Sequence, residues 1–493
     1  VLNLILPSKV LNLKMLIVLC SFTAIGLPKA FAASCSKKEL SKFNKNSSEE
    51  QKENFYTCLH KKGIYSISLP GLIGLVSRST DPEFQNEKLS LALEKVPRKY
   101  EFFIFKRLYK KRLQVSPQVQ SDLMYFLALN SFDRNKIKPA LRYLSKQVGV
   151  DFKRYGQSKF LKAVIMTKLG KSDDAEALFT ELAAGSFKAP NKKIKDKIIS
   201  VSKLNIARIQ IEQENYKDAV DGYRNVSFRD DQWFDGLVEM SWAMISRGDY
   251  ESAIGNAGFI NQSTSPYIYK PWLPVIESIG LLKMCQFPDA KKSVDYFKSK
   301  YQNTKTETVQ NIKKNKNQSW YEFSSKILDT RVTKSSVKKI PPLLFYAAKS
   351  DVVVGHQRIL NELIDEENAL KKLKKSLKRY KRSTVYWLVS NRLKALNKGI
   401  LSSQKNMGKA FKAKISSLFK EFNNLKKIAD IVDFEVFARS SKSITLRIAG
   451  EKFKDKMKKA KQSESSWKYN GEFWTDEAGR FRSFLKNKCA EEG

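Results

Sequence analysis

Histidine is nearly missing from this chain: only His60 and His356 occur in 493 residues, so a serine or cysteine triad has almost no base to draw on. His356 reads as a structural residue rather than a catalytic one. No CxxC, HExxH, Walker-type phosphate loop or GxSxG occurs, which removes the short signatures of zinc, nucleotide and nucleophile-elbow enzymes. No cofactor or metal site is expected, and the chain does not read as an enzyme. Acids are scarce too, with 50 Asp and Glu against 91 Lys and Arg for a formal net charge of +41. That excess attracts anionic surfaces of any kind, and it equally suits solvated helix faces in a chain rich in Lys and Asn. Beyond residue 27 no apolar run approaches the roughly 20 residues needed to cross a bilayer, so a soluble body is expected.

What is present begins with an export pattern. Lys9 and Lys14 precede an apolar run from Met15 to Leu27, followed by Ala30-Phe31-Ala32, an A-x-A cleavage site. This predicts a signal peptide over 1–32, a mature start near Ala33 and a periplasmic location, with association to the outer membrane as a further option. Acylation of Cys35 is the weaker alternative, because Ala32-Ala33-Ser34 lacks a leucine three residues ahead of it. Of five cysteines, Cys20 would leave with the signal, and Cys35, Cys58, Cys285 and Cys489 form an even set for disulfides in an oxidising compartment. Proximity favours Cys35 with Cys58, leaving Cys285 with Cys489. A free buried thiol is the competing reading of Cys285.

From 121 to 300 one pattern recurs: a small residue, a turn residue seven later, Ala five after that, then apolar residues. The units run Ala128, Asn135, Ala140, Leu144; Ala163, Gly170, Ala175, Phe179; Ala207, Glu214, Ala219, Tyr223; Ser241, Gly248, Ala253, Ala257; and Ser278, Cys285, Ala290, Val294. Two antiparallel helices approach closely only where the facing side chains are small, which is why Ala or Ser precedes each second-helix Ala by twelve. Tyr216, Tyr250 and Phe287 fill one equivalent site between repeats. The spacing, strongest at Leu169–Ala175 and Arg247–Ala253, resembles the tetratricopeptide family. The resemblance implies an all-α solenoid whose concave groove takes a partner peptide or helix.

Flanking this array, 33–120 reads as a helical cap with turns at Pro70-Gly71, Asp81-Pro82 and Val96-Pro97. Residues 301–351 read as linker and helices, with an exposed loop or frayed helix over 302–319. Residues 352–430 read as a basic long-helix hairpin, and 431–493 as a helical and aromatic tail. The hairpin is expected to run as one helix to about Leu396, with Leu373, Tyr380 and Trp387 on its apolar stripe. It would turn near Asn397-Lys398-Gly399 and return over about 410–430, and Glu366 at a core position argues against an extended coiled coil. Ile431–Phe453 leans to helix despite a strand-like alternation at Ile444–Ile448. The fold class is therefore all-α: a tetratricopeptide-like solenoid, a long helical hairpin and a packed C-terminal tail.

Lys371, Lys372, Lys374, Lys375, Lys378, Arg379, Lys381 and Arg382 place eight cations in twelve residues without an acid. Such a helix can dock on lipopolysaccharide, anionic lipid or cell wall, and the bland alternative is a solvated face. Nucleic acid is not an expected partner of an exported chain. At the C-terminus Trp467, Gly471, Glu472, Phe473, Trp474, Asp476, Glu477 and Gly479 follow the order of an aromatic, Gly-Glu-aromatic-Trp, Asp-Glu and Gly. That order resembles the terminal signature of exported tetratricopeptide proteins associated with adventurous gliding motility in gliding and predatory bacteria. The resemblance implies a periplasmic scaffold binding other envelope proteins in a motility-type complex. A basic cell-envelope-binding module is the alternative, and a cell-wall lytic enzyme a remote one.

Overall fold

The structure is a computed structural model that describes residues 37–94, 96–97, 100, 113–228, 230, 232–263, 267–331, 333–447, 478–483 and 485–491. Among these it is all helical, 77% helix without a strand, with helices packed in consecutive pairs in a solenoid-like manner. The described residues fall into two compact units: one holds those up to Ile198 together with Asp351–Ala410, the other Ile199–Ser350 and those from Phe411 onward. The signal peptide expected over 1–32 lies outside the described residues, and no helix among them is long and apolar enough to cross a membrane.

In the first unit α1 (Lys37–Lys42), α2 (Glu49–Lys61), α3 (Tyr65–Arg78) and α4 (Pro82–Glu94) precede α5 (Pro117–Asp133), α6 (Ile137–Leu144), α7 (Tyr155–Lys168) and α8 (Ser172–Ala183). The second unit carries most of α9 (Lys192–Glu212), then α10 (Tyr216–Arg224), α11 (Trp233–Arg247), α12 (Tyr250–Ser263), α13 (Trp272–Lys283) and α14 (Phe287–Lys314). The short α15 (Trp320–Leu328), α16 (Lys334–Lys339) and α17 (Pro342–Ala348) follow.

Five turns share one local geometry. Asn135, Gly170, Glu214, Gly248 and Cys285 all sit at positive φ, between 56° and 83°. At each, the following amide closes back on a carbonyl five residues earlier: Lys136 on Ser131, Lys171 on Met166, Asn215 on Gln210, Asp249 on Met244 and Gln286 on Leu281, at 2.8–3.0 Å. These are Schellman closures, and they leave the second helix to start with its Ala amide bonded to the residue just past the turn. Ala140, Ala175, Ala219, Ala253 and Ala290 are all fully buried, as are Ala128, Ala163, Ala207, Ser241 and Ser278. Enlarging one seam residue, Ala175→Leu, is expected to cost about 1–3 kcal/mol by overpacking in chemical denaturation. An unchanged midpoint would mean that the seam has room.

A sixth turn of this kind lies earlier, between α2 and α3. Gly63 has φ 75°, the Ile64 amide closes on Leu59 at 2.9 Å, and fully buried Ser68 stands where the later repeats have Ala. The small and large partners are exchanged here, because Tyr56 occupies the small position and Gly71 makes space for it. A Cβ on Gly71 would lie 2.2 Å from the Tyr56 ring. Pro70-Gly71 is therefore not a turn, as the sequence suggests, but lies inside α3. So near the helix start, Pro70 forgoes a single bond to the carbonyl of Ser66.

The long helices depart most from expectation. Residues 302–314 continue α14 rather than forming a loop, since Tyr301, Thr304 and Thr308 are buried at helical spacing. The hairpin turns at 377–383, not at 397–399. Here α18 (Asp351–Ser376) ends, one 3₁₀ turn covers Lys378–Tyr380, and α19 (Thr384–Arg447) runs on through Gly399 for 64 residues. Ser383 marks the restart, its hydroxyl accepting from the Tyr386 amide at 3.3 Å, as an N-cap does. The break shifts the apolar register to Val385, Val389, Leu393 and Leu396, which pack with Leu363, Leu370, Leu373 and Leu377 and with Phe55, Leu59 and Ile67. Trp387 and Tyr380, expected on the buried stripe, are consequently 65% and 38% exposed. Glu366 is buried because it caps α3, accepting the Ser66 amide at 2.6 Å. Burial, then the Glu366 charge, push the Tyr65 hydroxyl up to about 12.

In the second unit the distal part of α19 packs on α13–α15. Phe411 meets Trp320 and Phe323 edge-on, Phe422 stacks near Phe297, and Lys298 bridges Asp430 and Asp433 at 3.0 and 2.7 Å. Lys270, only 4% exposed, donates to the Asn261 carbonyl at 2.9 Å. Burial, then the nearby Lys300 charge, lower its pKa to about 8. The unfolded chain therefore binds the extra proton between about pH 8 and the ordinary lysine value, and stability should rise with pH across that window. Against Lys270→Gln, which cannot titrate, the native chain should gain relative stability from pH 8 to pH 10 in urea melts; parallel pH profiles would contradict this.

Candidate functional site

No cluster of three His, Cys, Asp or Glu suited to a metal exists among the described residues. His60 is buried, its Nδ1 3.3 Å from the Ser68 hydroxyl and its ring edge-on to Tyr65, and His356 lies within α18. One buried ion pair joins successive repeats. Arg208 on α9 grips Glu239 on α11 through Nε and Nη2 at 2.8 and 2.9 Å, and the Tyr223 hydroxyl donates to the same carboxylate at 3.1 Å. Burial opposes the Arg208 charge, yet attraction to Glu239 holds the guanidinium above its ordinary pKa. Burial and the Glu239 charge likewise raise Tyr223, so its hydroxyl remains a donor.

The surface that already holds a segment of chain is the edge formed by the helix–turn–helix corners of the second unit, where the C-terminal residues lie as a turn at 478–480, irregular backbone at 481–483 and 485–487, and a 3₁₀ turn over Lys488–Glu491. Gly479 O accepts from Arg224 Nε at 3.2 Å at the end of α10. One repeat further on, the Ser483 amide donates to the Glu251 carbonyl at 3.0 Å, and Phe481 stacks on Phe259 at 4.7 Å and 14°. At the α13–α14 corner Gln286 Nε2 donates to Lys486 O at 2.7 Å and the Lys488 amide to Met284 O at 3.0 Å. Three consecutive repeats thus each supply main-chain recognition, the mode by which a surface holds a peptide with little regard to sequence. Gly255 on α12 is what allows the approach, because a Cβ there would lie 2.5 Å from the Phe481 carbonyl oxygen. Arg482 adds Asp249 and Glu251 at 3.8 and 3.6 Å, and a disulfide joins Cys489 to Cys285. The first helices of the repeats offer less. Residues 121–129 of α5 are buried without interruption, as are 272–276 and 278–282 of α13.

Cys58 is disulfide-bonded; Cys35 lies outside the described residues, as do Trp467, Gly471, Glu472, Phe473, Trp474, Asp476 and Glu477. Gly479 is described, buried, with φ 79°. The eight cations do not form one helix but surround the hairpin turn. Lys371, Lys372, Lys374 and Lys375 end α18, while Lys378, Arg379, Lys381 and Arg382 occupy the link. Lys371 pairs with Glu367 at 2.8 Å, and Lys374 lies 5.5 Å over the Tyr386 ring. Of the residues beneath the tail the sequence pointed only to Cys285, as the partner of Cys489; the rest went unrecognised, since hydrogen bonds to the tail's main chain leave no motif in it, and Gly255, a glycine inside a helix, was the available sign. The chain matches no family model and no curated protein.

Proposed function

We propose that this chain is an exported scaffold of the tetratricopeptide type, acting in the periplasm within an envelope-associated, motility-type complex and binding other proteins through its repeats. The observation that carries the reading is the C-terminal tail, whose described residues from 479 to 489 are held across three consecutive repeats by hydrogen bonds to their main chain, one aromatic stack and a disulfide. A surface that satisfies the backbone of one segment has the chemistry to satisfy another. The sequence order from Trp467 to Gly479 supports the placement in an envelope complex, and the Ala30-Phe31-Ala32 site supports export. The test is crosslinking in intact cells followed by affinity recovery. A defined set of envelope proteins should be captured by the native chain and lost when Ala175→Leu and Ala253→Leu disturb the stack. Recovery of nothing beyond an unrelated exported control, or a clearing band on a cell-wall zymogram, would overturn the scaffold reading.

A further inference from the structure

The turn joining α18 and α19 combines features that neither the repeats nor the tail use. Seven of its eight cations, Lys371, Lys372, Lys375, Lys378, Arg379, Lys381 and Arg382, are exposed. Among the described residues the only acid that pairs with any of the eight is Glu367, on Lys371. The acids of α18, Asp351, Glu362, Asp365, Glu366 and Glu367, all lie before this end, so charge is segregated along the helix. Cations in the last turn of α18 offset its dipole, but Lys378 to Arg382 lie beyond it and have no such role. Beside them Tyr380 and Trp387 stand 38% and 65% exposed, while Leu373, Leu377 and Val385 anchor the turn in the core. An exposed indole and phenol within a few residues of these cations, at the join of two helices, match the interface of a negatively charged bilayer. Lys and Arg there meet headgroup phosphates, and amphipathic rings settle at headgroup depth.

We propose that this turn is a docking point for anionic phospholipid bilayers, with Lys378, Arg379, Lys381 and Arg382 supplying attraction and Trp387 entering the interface. A nucleic acid would use the same charges, but its backbone is tracked by a long basic groove, whereas these cations cluster on one helix end and the link after it. The proposal stands independently of the repeats and of what they bind.

The experiment is sedimentation of the full chain with vesicles of phosphatidylcholine alone or with 30% phosphatidylglycerol. Because the whole chain is strongly basic, the control matters as much as the variant. Reversing Lys378, Arg379, Lys381 and Arg382 to Glu should lower binding to the anionic vesicles about a hundredfold or more, from the affinity each cation near such a surface carries. Reversing four exposed lysines elsewhere, Lys313, Lys314, Lys316 and Lys338, should lower it by less than about tenfold. Quenching of tryptophan fluorescence by brominated lipid should fall selectively in Trp387→Phe, a readout that survives even if the charge variant folds poorly. Equal losses from the two reversals, no change of quenching in Trp387→Phe, or binding to duplex DNA in preference to vesicles would each overturn the proposal.

Discussion

Replacing Glu239 with alanine is expected to lower folding stability by about 3–5 kcal/mol, measured by urea denaturation, because it strands a buried guanidinium. Arg208 and Glu239 have side chains only 5% and 8% exposed, so water cannot replace the lost carboxylate. The Tyr223 hydroxyl would lose its acceptor as well, adding an unsatisfied donor in the same pocket. The pair itself need not be a large net gain, since taking two charges out of water costs nearly what their attraction returns. Replacing both, Arg208→Met with Glu239→Leu, should therefore recover most of the loss. A single substitution costing less than about 1 kcal/mol, or a double variant no better than the single, would show that the interface between these repeats relaxes or admits water.

Removing the disulfide should have the next largest effect. Cys285 and Cys489 are 204 residues apart, and tying so long a loop restricts the unfolded chain. Cys489→Ala should cost about 2–4 kcal/mol. The loss should be largely local in its structural consequence: amide exchange at Ser483 and Lys488, whose protons bond to Glu251 and Met284, should quicken while the Ala253 and Ala290 amides stay protected. If the tail amides keep their protection without the bond, the hydrogen bonds and the Phe481 stack hold the segment unaided.

The repeats were legible because their physics is local. A small residue, a turn and an Ala at set spacing identify where two helices touch, and all five turn residues named from spacing carry the left-handed backbone that a tight helix–helix corner requires. Three of them, Asn135, Glu214 and Cys285, are not glycine, so spacing was a better guide there than residue type. The sixth turn escaped because Tyr56 and Gly71 exchange the large and small roles across the seam. The hairpin join was misread for a related reason. Gly399 looked like a terminator, but a glycine inside a helix costs only about 1 kcal/mol, less than the packing of Leu393, Leu396, Met407 and Phe411 on either side of it. The true break has neither Gly nor Pro. Crowded like charges from Lys378 to Arg382 and the cap at Ser383 make it, and neither signal outweighs an apolar heptad on inspection. Beneath the tail only the Cys285–Cys489 link was legible, since the rest of the recognition runs through the carbonyls and amides of Gly479, Ser483, Lys486 and Lys488, which every residue possesses.

The claim that this repeat edge recognises a segment of chain can be tested directly by ending the chain at Glu477 and titrating a synthetic peptide of residues 478–491, with alanine in place of Cys489, into it by calorimetry. The account predicts saturable one-to-one binding, weakened at least about tenfold by Phe481→Ala in the peptide or Gly255→Ala in the chain. No heat of binding up to about 1 mM peptide, an affinity of roughly 4 kcal/mol, from a chain whose helical signal is intact would contradict it.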